Sequence, residues 1–258
     1  MVQRPAQRCL DRERIGAFNH LMLKLVNLSQ SVHRESWRLL RNRLSVFTLF
    51  LLALSCERLS AQGVAVPGMN CRPVSQRTQE VGCWILADEP LGQLMSSPVF
   101  WHLDAYPTRT AAETDKGARA TIVESLGKMW LMTIEDEKWR SLHGNRIAEI
   151  GPLAVLSGEK YSAQYMEAIF TPGMTAPAHV HSGPEAWYTL RGNLSGDIGW
   201  AGPNRPGGPP VIVPMGLSMH LTATGTQQRR ALVLILHQSS MPPTTPVHDW
   251  TPKGLCKK

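Results

Sequence analysis

From residue 82 onward, the pattern of apolar and polar positions is a succession of short runs rather than long helical periods. Segments 82–87, 99–106, 128–134, 146–155 and 161–170 read as β-strands. Turn signals such as Asp88-Glu89-Pro90 and Ser157-Gly158 separate several of them. Segment 185–190 is the next strand, and its two-residue alternation puts Glu185, Trp187 and Thr189 on one face and Ala186, Tyr188 and Leu190 on the other. Residues 211–214 enter a further strand-turn unit. The unbroken run Ala-Leu-Val-Leu-Ile-Leu at 231–236 is that of a strand covered on both faces. Only 109–119 has the Ala, Glu and Lys content of a short helix. Residues 62–80 read as an extended lead-in, 193–210 as a Gly/Pro-rich loop, and the Pro-rich tail from Met241 as irregular chain on the surface. A mainly β chain of this kind predicts a sandwich or barrel.

The N-terminal pattern differs. Arg38, Arg41 and Arg43 precede an apolar run over residues 44–56, and Leu59-Ser60-Ala61 follows soon after. A basic segment, a short apolar stretch and small residues describe a signal peptide over residues 1–61, cleaved after Ala61. The run is too short for the roughly 18 residues of a spanning helix. Export to the periplasm or the extracellular space is therefore expected, with no stable membrane span after cleavage. The basic leader is long, and a translation start at Met22 or later would shorten it.

Charge follows the same division. Of 27 Lys/Arg and 20 Asp/Glu, residues 1–61 hold ten and four, so the remainder is close to neutral. No basic stripe is left to neutralise phosphates, which argues against nucleic acid as a partner. Cleavage would leave Cys71, Cys83 and Cys256. An exported compartment permits disulfides, and a Cys71–Cys83 bridge across a short loop is the first expectation. The third thiol would stay free or pair between chains, or Cys256 would close the tail onto the N-terminal segment.

The candidate chemistry lies in residues 173–192. His179 and His181, two apart on an extended strand, share a face. Ser182-Gly183-Pro184 breaks the strand and lets the next segment return beside it, bringing Glu185 toward the histidines. Two imidazoles and a carboxylate make a coordination shell for a divalent transition metal. The alternative is a hydrogen-bonded polar cluster at a strand end.

Here the chain resembles the cupins, whose first motif spaces Gly, His-x-His, Glu and Gly as Gly173, His179, His181, Glu185 and Gly192 are spaced. Their second motif is matched by Gly208, Pro214, Gly216 and His220, with three residues before the histidine instead of two and Thr224 in place of asparagine. The resemblance covers residues 160–240. It implies a cupin-type double-stranded β-helix, a jelly-roll barrel, over residues 156–240. Residues 62–82 would then be the lead-in, 83–155 extra N-terminal strands extending the barrel or a degenerate first barrel, and 241–258 the Pro-rich tail. A second barrel is disfavoured because the chain has a single His-x-His pair.

The expected ligands are His179, His181, Glu185 and, as a fourth, His220. They would hold one divalent transition metal, Fe, Mn, Ni, Cu or Zn. The other reading of His220 is an interior histidine. His102, His143, His237 and His248 lie outside the motifs and are read as locally satisfied. Trp187, Tyr165, Met166, Met174 and Met219 could line a pocket, although core packing is the better reading of each. No side chain is assigned as catalytic. Cupins include dioxygenases, decarboxylases, isomerases and non-catalytic binders, and they often pair as dimers, so a homodimer is an expectation by resemblance. The expected function is that of an exported metal-dependent oxidoreductase or dioxygenase acting on a small organic molecule. The alternatives are a non-catalytic module that binds a small ligand or a metal, and a structural assembly protein.

Overall fold

A computed structural model of the chain describes residues 71–94, 98–197 and 206–254. The expected signal segment and Cys256 lie outside the described residues. In chain order the elements are Arg72–Pro73 (β1), a 3-10 turn at Val74–Gln76, Gly82–Gln93 (β2), Val99–Tyr106 (β3), Arg109–Glu113 (α1), Ala120–Ser125 (β4), Lys128–Asp136 (β5) and Asn145–Leu153 (β6). They continue with Lys160–Phe170 (β7), Thr175–Val180 (β8), Glu185–Arg191 (β9), Asn193–Asp197 (β10), Val211–Val213 (β11), Met219–Thr224 (β12), Arg229–Gln238 (β13) and Thr245–Pro246 (β14).

Three sheets result. A six-stranded sheet runs β1-β2-β7-β13-β9-β11, and two four-stranded sheets run β10-β12-β8-β14 and β4-β5-β3-β6. The six-stranded sheet has an apolar core on each face, and strand parity assigns residues to one core or the other. On β7, Tyr161, Ala163 and Tyr165 join Trp101, Trp130 and Ile134 in the core shared with β3 to β6, together with Leu232, Leu234 and Leu236 of β13. The alternate residues Met166, Ala168, Phe170, Val233 and Ile235 join Ala176, Leu194, Met219 and Leu221 in the core shared with β8, β10 and β12. This second core is the inside of a two-sheet jelly roll, the fold class expected. Strand β13 is buried through residues 231–236 because both faces are covered, as its unbroken apolar run predicts. On β9, Trp187 enters the jelly roll while Ala186, Tyr188 and Leu190 face the other core, in the alternation read from the sequence.

Several local expectations are corrected. Asp88-Glu89-Pro90 is not a turn: β2 runs through it, with register shifts between Ile85 and Ala87 and between Pro90 and Gly92. Beyond Ile85 the β1 edge of β2 has no partner among the described residues, so the missing N–H of Pro90 costs no ladder bond. The helix is shorter than 109–119. Thr108 caps it by accepting the Ala111 N–H, while Asp115 is drawn off by the Tyr106 hydroxyl and the His143 N–H. The chain then enters β4, a strand not anticipated. Residues 193–197 form β10 rather than loop, pairing with β12 through all five residues. The tail is not wholly irregular, since β14 pairs with β8 at Thr245↔Val180 and Pro246↔His179. Cys71 and Cys83 form a disulfide, as expected.

Candidate metal centre

His179 lies on β8 and His181 directly follows the strand's last residue, Val180, and both are buried. The segment after the turn does not return beside β8 as expected: it crosses to the six-stranded sheet as β9, and the turn that makes this crossing depends on Gly183. A Cβ there would lie 1.8 Å from the carbonyl oxygen of Leu236, so this corner packs directly on the backbone of β13. The Pro184 carbonyl then accepts the Leu236 N–H at 3.0 Å, and β9 begins at Glu185, opposite Ile235. Gly192 ends β9 at φ +70°, where a Cβ would come within 2.6 Å of the Arg229 Cα. The motif's glycines therefore let β8, β9 and β13 approach closely enough for the three side chains to meet.

They do meet. His179, His181 and Glu185 each offer a donor atom, and these atoms lie within 4.8 Å of one another. The Nδ1 of His179 lies 2.6 Å from the Pro177 carbonyl oxygen, and the Nδ1 of His181 lies 2.6 Å from that of Pro243. A carbonyl only accepts, so both Nδ1 atoms carry the proton and both Nε2 atoms are left as electron-pair donors in the neutral rings. His181 Nε2 and Glu185 Oε2 stand 3.4 Å apart as an ion pair, and neither has another hydrogen-bond partner among the described residues. Two buried polar atoms that face only each other, in a group of two imidazoles and a carboxylate, fit a metal ion.

The titration of the group reflects its burial. Burial lowers the His179 pKa, reinforced by the neighbouring His181 and His220 and opposed by Glu185. Burial pulls the His181 pKa down as well, but the adjacent Glu185 charge and hydrogen bond and the Pro243 carbonyl raise it overall. Burial pushes the Glu185 carboxyl up, and His181 more than reverses this, leaving it below its usual range.

His220, the fourth expected ligand, does not join the group. The register of β12 against β8 shifts between Met219 and Leu221, and Met219 is the residue opposite His179. Met219 and Leu221 both enter the jelly-roll core, so His220 between them faces the other way, paired across β10 with Asp197. The extra residue before the histidine thus places Met219 at the spacing of the second motif. The other histidines not assigned as ligands lie apart from the group. His102, for example, is buried with Nε2 on the Asp136 carbonyl and Nδ1 accepting from Arg146.

His179, His181 and Glu185 open onto a cavity of about 230 Å³ inside the jelly roll. Its walls are mostly apolar, with Met166, Phe170, Trp187, Leu221, Val233 and Ile235 prominent. Trp187 and Met166 thus line it, while Tyr165 belongs to the opposite core and Met219 packs in the interior. Two features went unread in the sequence. The carbonyls that orient the histidines are backbone groups, and they carry no side-chain signal. Arg229 also lines the cavity, and its signal was parity: it shares the phase of Ala231, Val233 and Ile235 along β13.

The jelly roll and the five spaced residues of the first motif together define a cupin-type architecture. No family model matches the chain. No curated protein matches it either. Among solved structures, it is similar to a cupin-like protein from Thermotoga maritima at 20% identity, over 33% of this chain and 64% of that one, with a TM-score of 0.30. A cupin superfamily protein from Desulfitobacterium hafniense is similar at 15% identity over 33% and 74% of the two chains, with a TM-score of 0.27. Oxalate decarboxylase from Bacillus subtilis is similar at 20% identity over 36% of this chain and 25% of that one, with a TM-score of 0.29. The alignable part therefore spans less than two thirds of the first of these and a quarter of the last.

Proposed function

We propose that this chain is an exported, metal-dependent oxidoreductase, of the dioxygenase kind, acting on a small organic molecule held in the jelly-roll cavity. The observation that carries the reading is the convergence of His179, His181 and Glu185 at the wall of a mostly apolar cavity, with His181 Nε2 and Glu185 Oε2 facing only each other. These three residues would hold one divalent transition metal, which supplies Lewis acidity and open positions for dioxygen or a substrate oxygen. The chain's own residues do the rest. Pro177 and Pro243 hold both imidazoles in the ligating tautomer, Glu185 contributes the negative charge, and the apolar walls exclude water from the bound molecule.

The enzyme is tested by loading the purified protein with Fe, Mn, Ni, Cu or Zn and following oxygen uptake and product formation over a panel of small organic acids, alcohols and phenols. Turnover that disappears in His179→Ala supports the enzyme. Binding of a panel member without turnover under any metal supports the non-catalytic ligand-binding module instead. Export rests on the basic and apolar pattern before Ala61. Among the described residues, no helix is long and apolar enough to cross a membrane. N-terminal sequencing of the protein from the cell envelope or medium should begin at Gln62. A chain that stays in the cytoplasm with residues 44–61 attached contradicts export. A homodimer remains part of the proposal, read by light scattering.

A further inference from the structure

Arg229 is the largest charged side chain fully buried among the described residues. It is 1% exposed, it lines the cavity that holds His179, His181 and Glu185, and it makes no ion pair with any described residue. Its Nε and Nη2 have no hydrogen-bond partner among the described residues. Those two N–H groups lie on one edge of the guanidinium, the edge that takes both oxygens of a carboxylate in parallel hydrogen bonds. A buried guanidinium normally has its counter-charge built in. Here the one described carboxylate whose charge it feels is Glu185, which belongs to the metal group and is already set against His181. Burial accordingly lowers the Arg229 pKa to about 10, so the side chain remains a cation at neutral pH.

From this edge and its surroundings we infer that the cavity's ligand is a carboxylic acid, with its carboxylate on Arg229 and an apolar body against Phe170, Trp187, Val233 and Ile235. The placement of Arg229 is built into the fold. It opens β13 opposite Phe170, and Gly192, which tolerates no side chain against the Arg229 backbone, allows the end of β9 to close over it. The walls favour hydrocarbon or an aromatic ring over a second charge, since Arg229 and the metal group are the ionisable side chains among the lining residues. The inference deepens the proposed small-molecule site and rests on that reading for the location of the chemistry. The carboxylate subsite itself requires only Arg229 and the cavity.

The test is calorimetric titration with propionate, pentanoate and benzoate, each against its own amide, on the full protein both stripped of metal and metal-loaded. The variants are Arg229→Met and Arg229→Lys. At least one acid should bind ten times or more tightly than its amide in the metal-free protein. Arg229→Met should abolish that preference, and Arg229→Lys should keep part of it. Arg229→Met should also hold its metal and melt no lower than the parent, because it removes an unpaired buried charge. Any of three results overturns the inference: no acid preferred over its amide; a preference that survives in metal-free Arg229→Met, which would place the anion on another group of the cavity; or an Arg229→Met protein that melts several degrees lower, which would make the side chain structural. An acid preference in a protein that takes up no metal would leave the carboxylate subsite standing while removing the metal-dependent function. Metal uptake without an acid preference would do the reverse.

Discussion

At the residue scale, the histidines of the candidate centre are set apart by their partners. In metal-free protein, NMR titration of the ring protons should find His181 titrating above the ordinary 6.5 and His179 below it. Glu185→Gln should bring His181 down, because burial would then act without the opposing carboxylate. The sign for metal follows directly. A raised His181 pKa means that protons compete for this ligand at a higher pH, so metal occupancy should fall as pH drops through the His181 titration. Occupancy that stays constant well below that range would contradict histidine ligation. Gly183 gives a stability prediction at the same scale: Gly183→Ala should cost on the order of 3 kcal/mol in urea unfolding, since a Cβ would collide with the Leu236 carbonyl. A near-neutral effect would show that the corner relaxes. The His-x-His and Glu residues were legible because their chemistry and spacing are carried by side chains. His220 was only half legible: the extra residue before it is visible in the spacing, but that Met219 rather than His220 takes the inward position opposite His179 is settled by the strand pairing. Arg229 was half legible: its phase along the strand is visible, but the absence of a counter-charge is a property of the folded neighbourhood.

At the scale of elements, two pieces outside the jelly-roll strands support the site. The tail reaches β8 through β14 and places the Pro243 carbonyl on His181 Nδ1. Deleting residues 241–258 should therefore weaken metal binding by roughly 10–100-fold, the usual effect of losing a ligand's orienting partner. Equal affinity in a competition with a chelating dye would show that the carbonyl is dispensable. The Cys71–Cys83 disulfide closes a loop of sequence separation 12 at the cavity wall. The double variant Cys71→Ser, Cys83→Ser should lose about 3 kcal/mol by denaturant unfolding. An unchanged midpoint would mean that the β1–β2 pairing holds the loop by itself. Strand alternation made β9 and β13 readable, whereas β10 was hidden because Gly196 and the Gly/Pro-rich residues that follow masked its pairing with β12. The turn predicted at Asp88-Glu89-Pro90 failed for the opposite reason: an unpaired edge accommodates a proline that a central strand would reject.

At the scale of the whole molecule, the six-stranded sheet is the shared wall of two cores. One face builds the jelly roll with its cavity. The other is covered by β3 to β6, which seal residues such as Tyr165 and Leu234 from water. This burial on both faces fixes the phase of β7, β9 and β13, because a one-residue slip would move Glu185 and Arg229 from the cavity into the opposite core. The phase that brings the site residues into the cavity is thus a consequence of the layering. The central claim, that His179, His181 and Glu185 form a metal site and His220 is not part of it, is tested most directly by metal analysis of protein purified without chelators or affinity nickel. The parent chain should be compared with His181→Ala, Glu185→Ala and His220→Ala, each checked for β structure by circular dichroism. The account expects about one transition-metal ion per chain in the parent and in His220→Ala, and little in the other two. Full stoichiometry in both His181→Ala and Glu185→Ala, or none taken up by the parent on titration, would contradict it.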